Sequence, residues 1–307
     1  MPAATQGLLF GGLGVLAFSL TLPATRAAVP ALGGTTVGLG RALVAAVLAA
    51  VVLLVLRERP PARRHWPGLA IVALGVVIGF PLTSSLAMQS LPAAHGAVVI
   101  GLLPAATAVM AVIRAGERPP FPFWLACAVG VVAVLVFAVS QGAGQIQPAD
   151  GLLLAAVVLG ALGYAEGGRL ARELGGWRVI CWALLIAAPV LVAPVVVAIA
   201  FSDRGPVGPD AWLGFAYVSV VSMFLGFFAW YKGLAAGGVA RVGQLQLAQP
   251  VLTLGWAALL LGETVSGATI LASLFVIGSV ALTRWSWRGS SPATVRAGSG
   301  SPPPTRR

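Results

Sequence analysis

Charge is what this sequence has least of. Only 9% of its 307 residues are Asp, Glu, Lys or Arg, while 59% are apolar. A soluble domain carries about 25% charged residues, and no folded core of this length hides so much apolar sequence from water. The solvent for most of the chain is therefore expected to be lipid. Acidic residues number 8 against 19 basic ones. In a soluble protein that excess would suggest nucleic acid. Here the basic residues are spread between apolar runs, so they read as topology signals and no nucleic-acid partner is expected. Lysine occurs once, at Lys232, outside any G-x-x-x-x-G-K-[ST] phosphate loop. That excludes ATP-driven work by this chain alone, and no ATPase subunit is implied. There is no H-E-x-x-H, His65 and His95 stand 30 residues apart, and Asp150, Asp203 and Asp210 all fall between apolar runs. Hydrolytic and prenyl-transfer chemistry would need paired carboxylates, metal ligands or a nucleophile with its base. None is present, so neither an enzyme, a metal nor a cofactor is expected. Cys127 and Cys181 lie singly in apolar runs and read as small hydrophobes, not as a disulfide.

What is abundant is apolar length. A bilayer-spanning helix needs about 20 apolar residues. Stretches of that kind recur at 5–24, 37–56, 66–88, 95–113, 120–140, 150–168, 177–201, 211–231, 241–261 and 266–284. Two are weak: Ala42 to Leu56 and Gly151 to Ala165 reach full length only by taking in Arg41 and Glu166. No Lys or Arg precedes Gly7–Leu22, and Arg26 spoils the small-residue stretch after it, so a retained first helix is expected rather than a signal peptide. Residues 288–307, rich in Ser, Gly, Pro and Arg, have the composition of a disordered basic tail. With the N-terminus placed in the cytoplasm, sixteen of the 19 basic residues face that side. Arg26, Arg41 and Arg204 face the other. An even number of spans with both termini inside fits this bias.

The chain also repeats itself. Pro104, Thr107, Gly116 and Glu117 recur at Pro250, Thr253, Gly262 and Glu263, each 146 residues later. The expected organisation is two five-helix repeats, 1–145 and 146–287, followed by the tail. Five is odd, so the second repeat enters the bilayer from the opposite side. The expected fold is an all-α membrane protein of ten transmembrane helices in two inverted repeats. Inverted repeats are characteristic of secondary transporters.

The helix endings Ile113–Pro120 ("IRAGERPP") and Leu259–Ser266 ("LLLGETVS"), Arg41 in "GLGRALVAA", and the segment 229–263 resemble the ten-helix, EamA-like branch of the drug/metabolite transporter superfamily over about 5–285. That resemblance implies a 5+5 inverted-repeat fold in the cytoplasmic membrane. It also implies export or exchange of amino acids, metabolites or drugs.

Candidate site residues gather at the centres of the spans. Pro104 and Pro250 each deprive a carbonyl four residues earlier, at Ile100 and Gln246, of its helical partner. The prolines line a central site, or they make packing kinks satisfied by Thr107 and Thr253. Gln246, Gln249 and Thr253 share a helix face and either line a cavity or pair between helices. Ile100 and Leu103 replace the two glutamines in the first repeat, so any site is lopsided. Glu166 interrupts a span and is a proton-coupling candidate, or an ion pair with Arg169 three residues on. Arg41 attracts an anion or snorkels to the boundary. Glu117 and Glu263 anchor or gate helix ends. Tyr164 is a cavity candidate, whereas Trp230-Tyr231-Lys232 fits an interfacial belt. Ser84, Ser85 and Gln89 suggest an outer vestibule. The combined expectation is a secondary transporter of a small organic solute in the lipid bilayer. The alternative is a channel-like or regulatory membrane protein without alternating access.

Overall fold

The computed structural model describes residues 2–121, 123–125, 128–129, 131–132, 148–201 and 206–262. Most of the stretch 120–140 lies outside these residues, as do the stretch 266–284, Glu263 and the tail. Within them are eight helices long and apolar enough to cross a membrane: α1 (Ala3–Leu32), α2 (Gly34–Val55), α3 (Arg63–Ala87), α4 (Ala93–Ala115), α5 (Pro148–Leu174), α6 (Gly176–Ala200), α7 (Pro209–Gly237) and α8 (Val239–Leu261). Helix is what lipid demands, because each backbone N–H and C=O must find its partner within the segment. Large apolar side chains such as Leu54, Leu213 and Leu259 point outward, at 76%, 69% and 77% exposure, as lipid-facing positions should.

Helix α1 runs eight residues past its expected end at 24. Arg26 does not stop it, since its guanidinium donates to the Met88 carbonyl at the end of α3 (2.7 Å). The two weak spans also reach full length, 22 residues for α2 and 27 for α5. They do so with Arg41 and Glu166 buried inside the bundle, at 1% and 0% exposure, rather than at the membrane boundary.

Five helices are irregular. Helix α1 changes direction at Leu20, between the segments Ala3–Ser19 and Thr21–Leu32. Helices α3 and α7 widen into π-helical turns at Ala73–Gly79 and Tyr217–Leu225. Helix α4 breaks after Ile100 and restarts at Leu103, and α8 tightens into a 3₁₀ turn at Gln244–Ala248 before restarting at Gln249. Pro104 and Pro250 thus sit in the first turn of a restarted helix, where a missing N–H costs nothing, not in an unbroken helix interior. The irregularities recur with the spacing seen in the sequence. Adding 146 to Ala93, Leu103 and Ala115 gives Val239, Gln249 and Leu261, the matching boundaries in α8. Gly116 and Gly262 both end their helices in the left-handed conformation, at φ 64° and 67°.

Packing follows the same correspondence. Helix α1 lies along α7 as α5 lies along α3, while α2 pairs with α6 and α4 with α8. Exchanging the halves maps this set of pairs onto itself. The α1–α7 contact is backbone-close: a Cβ at Gly7 would stand 2.6 Å from the Gly237 Cα, and one at Gly233 2.5 Å from the Gly11 nitrogen. Small residues allow such approach where lipid supplies no hydrophobic drive between helices.

Most charged pairs outside the centre lie at one end of the bundle, while His95 and Asp150 meet at the other (2.6 Å). Arg178 donates to Glu58 (2.6 Å), and Glu173 meets His65 (2.9 Å) and Arg64 (3.5 Å). The Arg178 hydrogen bond holds the Glu58 carboxyl below its ordinary range.

Candidate functional site

The helix irregularities converge. A central cavity of about 20 Å³ is bordered by Thr21 just past the bend in α1, Val76 in the π-turn of α3, Ser222 and Met223 in the π-turn of α7, and Gln249 where α8 restarts. Arg41 of α2 and Tyr164 of α5 complete its polar lining. Six of the eight helices, from both halves, contribute. A volume of this size holds about one water molecule. Departures from α geometry inside membrane helices often mark functional sites, and here four of them meet at one place.

The polar side chains in and beside the lining are incompletely satisfied. Thr21 and Ser222 share a hydrogen bond of 2.8 Å. The Tyr164 phenol lies beside the Gln246 amide and the Arg41 guanidinium. Arg41 Nε and Nη2, Gln249 Oε1, both polar atoms of the Gln246 amide and Thr107 Oγ1 are buried without a hydrogen-bond partner meeting ordinary geometry. Each such group costs about 1–3 kcal/mol, and a charged one more. Native proteins keep few of them without a reason. Among the described residues no group of three His, Cys, Asp or Glu side chains could hold a metal ion.

Toward the end of the bundle where the ion pairs collect, an aromatic cluster lies against the cavity. Phe18 stacks on Tyr164 with ring centroids 6.1 Å apart and meets Phe227 at 5.0 Å; Trp230 packs edge-on to Tyr164 at 5.3 Å. Trp230 and Tyr231 are both fully buried, and the Tyr231 hydroxyl donates to the Gly163 carbonyl (3.0 Å). The interfacial-belt reading therefore fails for these two. Gly167 explains why: a Cβ there would collide with the Tyr231 ring at 2.2 Å, so α5 opens a notch for it. Lys232 alone of the three is exposed, with its Nζ 3.8 Å over the Phe10 ring.

The remaining candidates divide. Pro104, Thr107 and Pro250 are buried but do not line the cavity; Gln249 does, and Gln246 is buried beside Tyr164, with Ile100 and Leu103 as the buried apolar counterparts of the two glutamines. Thr253 is tied elsewhere: its hydroxyl donates to the Ser19 carbonyl of α1 (2.6 Å), beside Trp256 Nε1 on Ser19 Oγ (3.0 Å). It fastens α8 to the bend in α1 and satisfies no carbonyl freed by Pro250. Glu166 accepts from Arg169 (2.5 Å) and from Arg114 (3.0 Å). The carboxylate of Glu117 caps the start of α8, accepting from Val239 N–H and Ala240 N–H (both 2.7 Å) and from Arg172 (2.6 Å). Gly238, at φ 86°, makes the turn that presents those N–H groups. Ser84 and Ser85 are buried, with the Ser84 hydroxyl donating to the Phe80 carbonyl (2.6 Å). Gln89, the third residue of that group, is exposed. Thr21 and Ser222 are lining residues absent from the sequence-based candidates; their signal is a hydroxyl within an apolar run.

Comparison with known proteins agrees with this architecture. The EamA-like transporter family matches twice, at residues 5–139 and 147–285. The chain is 46% identical over 284 residues to "uncharacterized transporter YdeK" of Bacillus subtilis (strain 168), covering 92% of this chain and 99% of that protein. It is 27% identical to a "probable terminal-alkyne amino-acid exporter" of Streptantibioticus cattleyicolor, covering 89% of this chain and 93% of that one. A solved crystal structure superposes with a TM-score of 0.73 at 21% identity, over 94% of this chain and 99% of the other, which shows a shared fold. With its two matched repeats and its apolar helices, this multi-pass membrane protein belongs to the EamA-like transporter family.

Proposed function

We propose that the chain is a secondary transporter that exports or exchanges small organic solutes, amino acids foremost, by alternating access without ATP. The observation that carries this reading is the convergence of helix irregularities from both halves on one polar cavity. In the proposed architecture ten helices form two inverted repeats, 1–145 and 146–287. The reciprocal helix pairing and the shared 146-residue spacing support it. The gathering of most ion pairs at one end, together with the distribution of Arg, supports a cytoplasmic membrane location with both termini inside.

A cavity with room for about one water cannot hold an organic solute, so solute passage requires the halves to part. Two features serve as the inner gate: the aromatic cluster of Phe18, Tyr164, Phe227 and Trp230, and the Glu117 cap that joins α4 to α8. Glu166, neutralised by two guanidiniums, serves as a structural tie; this geometry favours the ion-pair reading over proton coupling. The name of the exporter relative supports amino acids as the first class to assay and export as the direction.

The test is counterflow in proteoliposomes, with L-propargylglycine, L-leucine and L-phenylalanine as probes and no ATP. At least one should exchange. Pro250→Ala and Gln249→Ala should cut the exchange rate by about tenfold or more, as misplacement in a binding site does, with membrane insertion near wild type. Unchanged exchange in both variants would remove the cavity from the mechanism, and exchange of none of the probes would remove amino acids as the solute class.

A further inference from the structure

Arg41 is a buried cation with no acidic side chain to neutralise it among the described residues. It is 1% exposed, two of its nitrogens lack a hydrogen-bond partner, and no Asp or Glu lines the cavity it borders. The other fully buried charge among the described residues, Glu166, shows the contrast, because two arginines hold it. A buried ion persists when it is paired or when it does work. Arg41 is not paired within the described protein.

We propose that Arg41 receives a carboxylate of the transported solute, whose apolar body lies against Phe18, Phe80 and Phe227. The inference rests on the transporter reading above and names the solute class of that same cavity. Three features support it. The planar guanidinium fork matches a carboxylate in bidentate geometry, and two of its donor nitrogens are vacant. Among the described residues the lining offers one formal positive charge and no negative one, so a monoanionic group is matched and a dianion is not. The rest of the wall is aromatic and aliphatic, with the unpartnered Gln249 Oε1 as acceptor. An α-ammonium on the same solute finds that oxygen and the ring faces beside it. A zwitterionic amino acid with an apolar side chain therefore meets a partner for each of its parts. Parting of the halves exposes the guanidinium together with the space the solute needs.

The test uses purified full-length protein in detergent and reads the thermal unfolding midpoint. The probes are L-phenylalanine, L-leucine, L-propargylglycine and 3-phenylpropionate, each set against its carboxamide at matched ionic strength. At least one carboxylate should raise the midpoint while its amide does not. Arg41→Gln should abolish that rise, weakening apparent affinity by about tenfold or more, and Arg41→Lys should retain part of it. Arg41→Gln without any probe should melt no lower than wild type, since it removes an unpaired buried charge. If it fails to accumulate, the Arg41→Lys comparison carries the reading, with a complete loss or an undiminished rise counting against it. Equal stabilisation by acids and amides, a full carboxylate effect in Arg41→Gln, or no carboxylate effect in wild type would each overturn the proposal. Carboxylate stabilisation without counterflow would count against the transporter reading alone, and counterflow without carboxylate selectivity against Arg41 alone.

Discussion

Two buried charges, Arg41 and Glu166, look alike as single letters within weak apolar runs and differ completely in place. Glu166 lies between Arg114 and Arg169, and both arginines keep more than a third of their side chains exposed. Removing the carboxylate therefore leaves two cations that can rehydrate. Glu166→Gln should cost about 1–3 kcal/mol, below the range for stranding a fully buried partner. Chemical or thermal melts should show this loss while counterflow keeps its pH profile. A flattened pH profile in this variant would make Glu166 a coupling group instead. Glu58 gives a prediction with a sign. Its folded pKa is held below the ordinary 4.5 by the Arg178 hydrogen bond, so the pair stabilises the protein above that value and the contribution is lost as pH falls through the lowered pKa. The difference in melting midpoint between wild type and Glu58→Gln should shrink steadily as pH drops below about 4.5. A constant difference down to pH 3 would contradict the assignment.

Helices as units carried most of what the sequence could tell. Their existence follows from apolar length, which lipid enforces without reference to neighbours, and eight of the ten expected stretches are found as spans in the described residues. The 146-residue repeat was legible for a similar reason: Pro104 and Gly116 mark a helix restart and a left-handed cap, both local backbone requirements that recur at Pro250 and Gly262. What a helix faces was harder to read, because it depends on partners far away in sequence. Nothing near Trp230 and Tyr231 announces the notch at Gly167 that buries the tyrosine, and nothing near Arg41 says which helices enclose it. The π-turns of α3 and α7 left no signal that the sequence reading used. The α1–α7 contact makes a prediction at this scale. Gly7→Val would place a side chain within 2.6 Å of the Gly237 backbone, which neither helix can yield cheaply. A loss of about 1–3 kcal/mol is expected from overpacking, read as lowered thermal stability in detergent. Gly12→Val, on the same helix with open space at its Cβ position, is the control and should be near neutral.

The molecule as a whole is described closed. Its central cavity is the size of a water, its aromatic cluster is packed, and the Glu117 cap is engaged on three donors. Glu117→Gln should weaken that cap by about 0.5–2 kcal/mol and shift the population toward an inward-open form. In the proposed mechanism the two faces of the cavity open in turn, never together. The most direct measurement is thiol accessibility in a background lacking Cys127 and Cys181, with single reporters at Thr25 on the proposed outer side of the cavity and Leu234 on the proposed inner side, labelled from a known face. Both positions are buried now. Alternation predicts that a solute gradient or Glu117→Gln raises labelling at Leu234 while lowering it at Thr25. Simultaneous labelling of both positions would mean a pore, and would contradict alternating access.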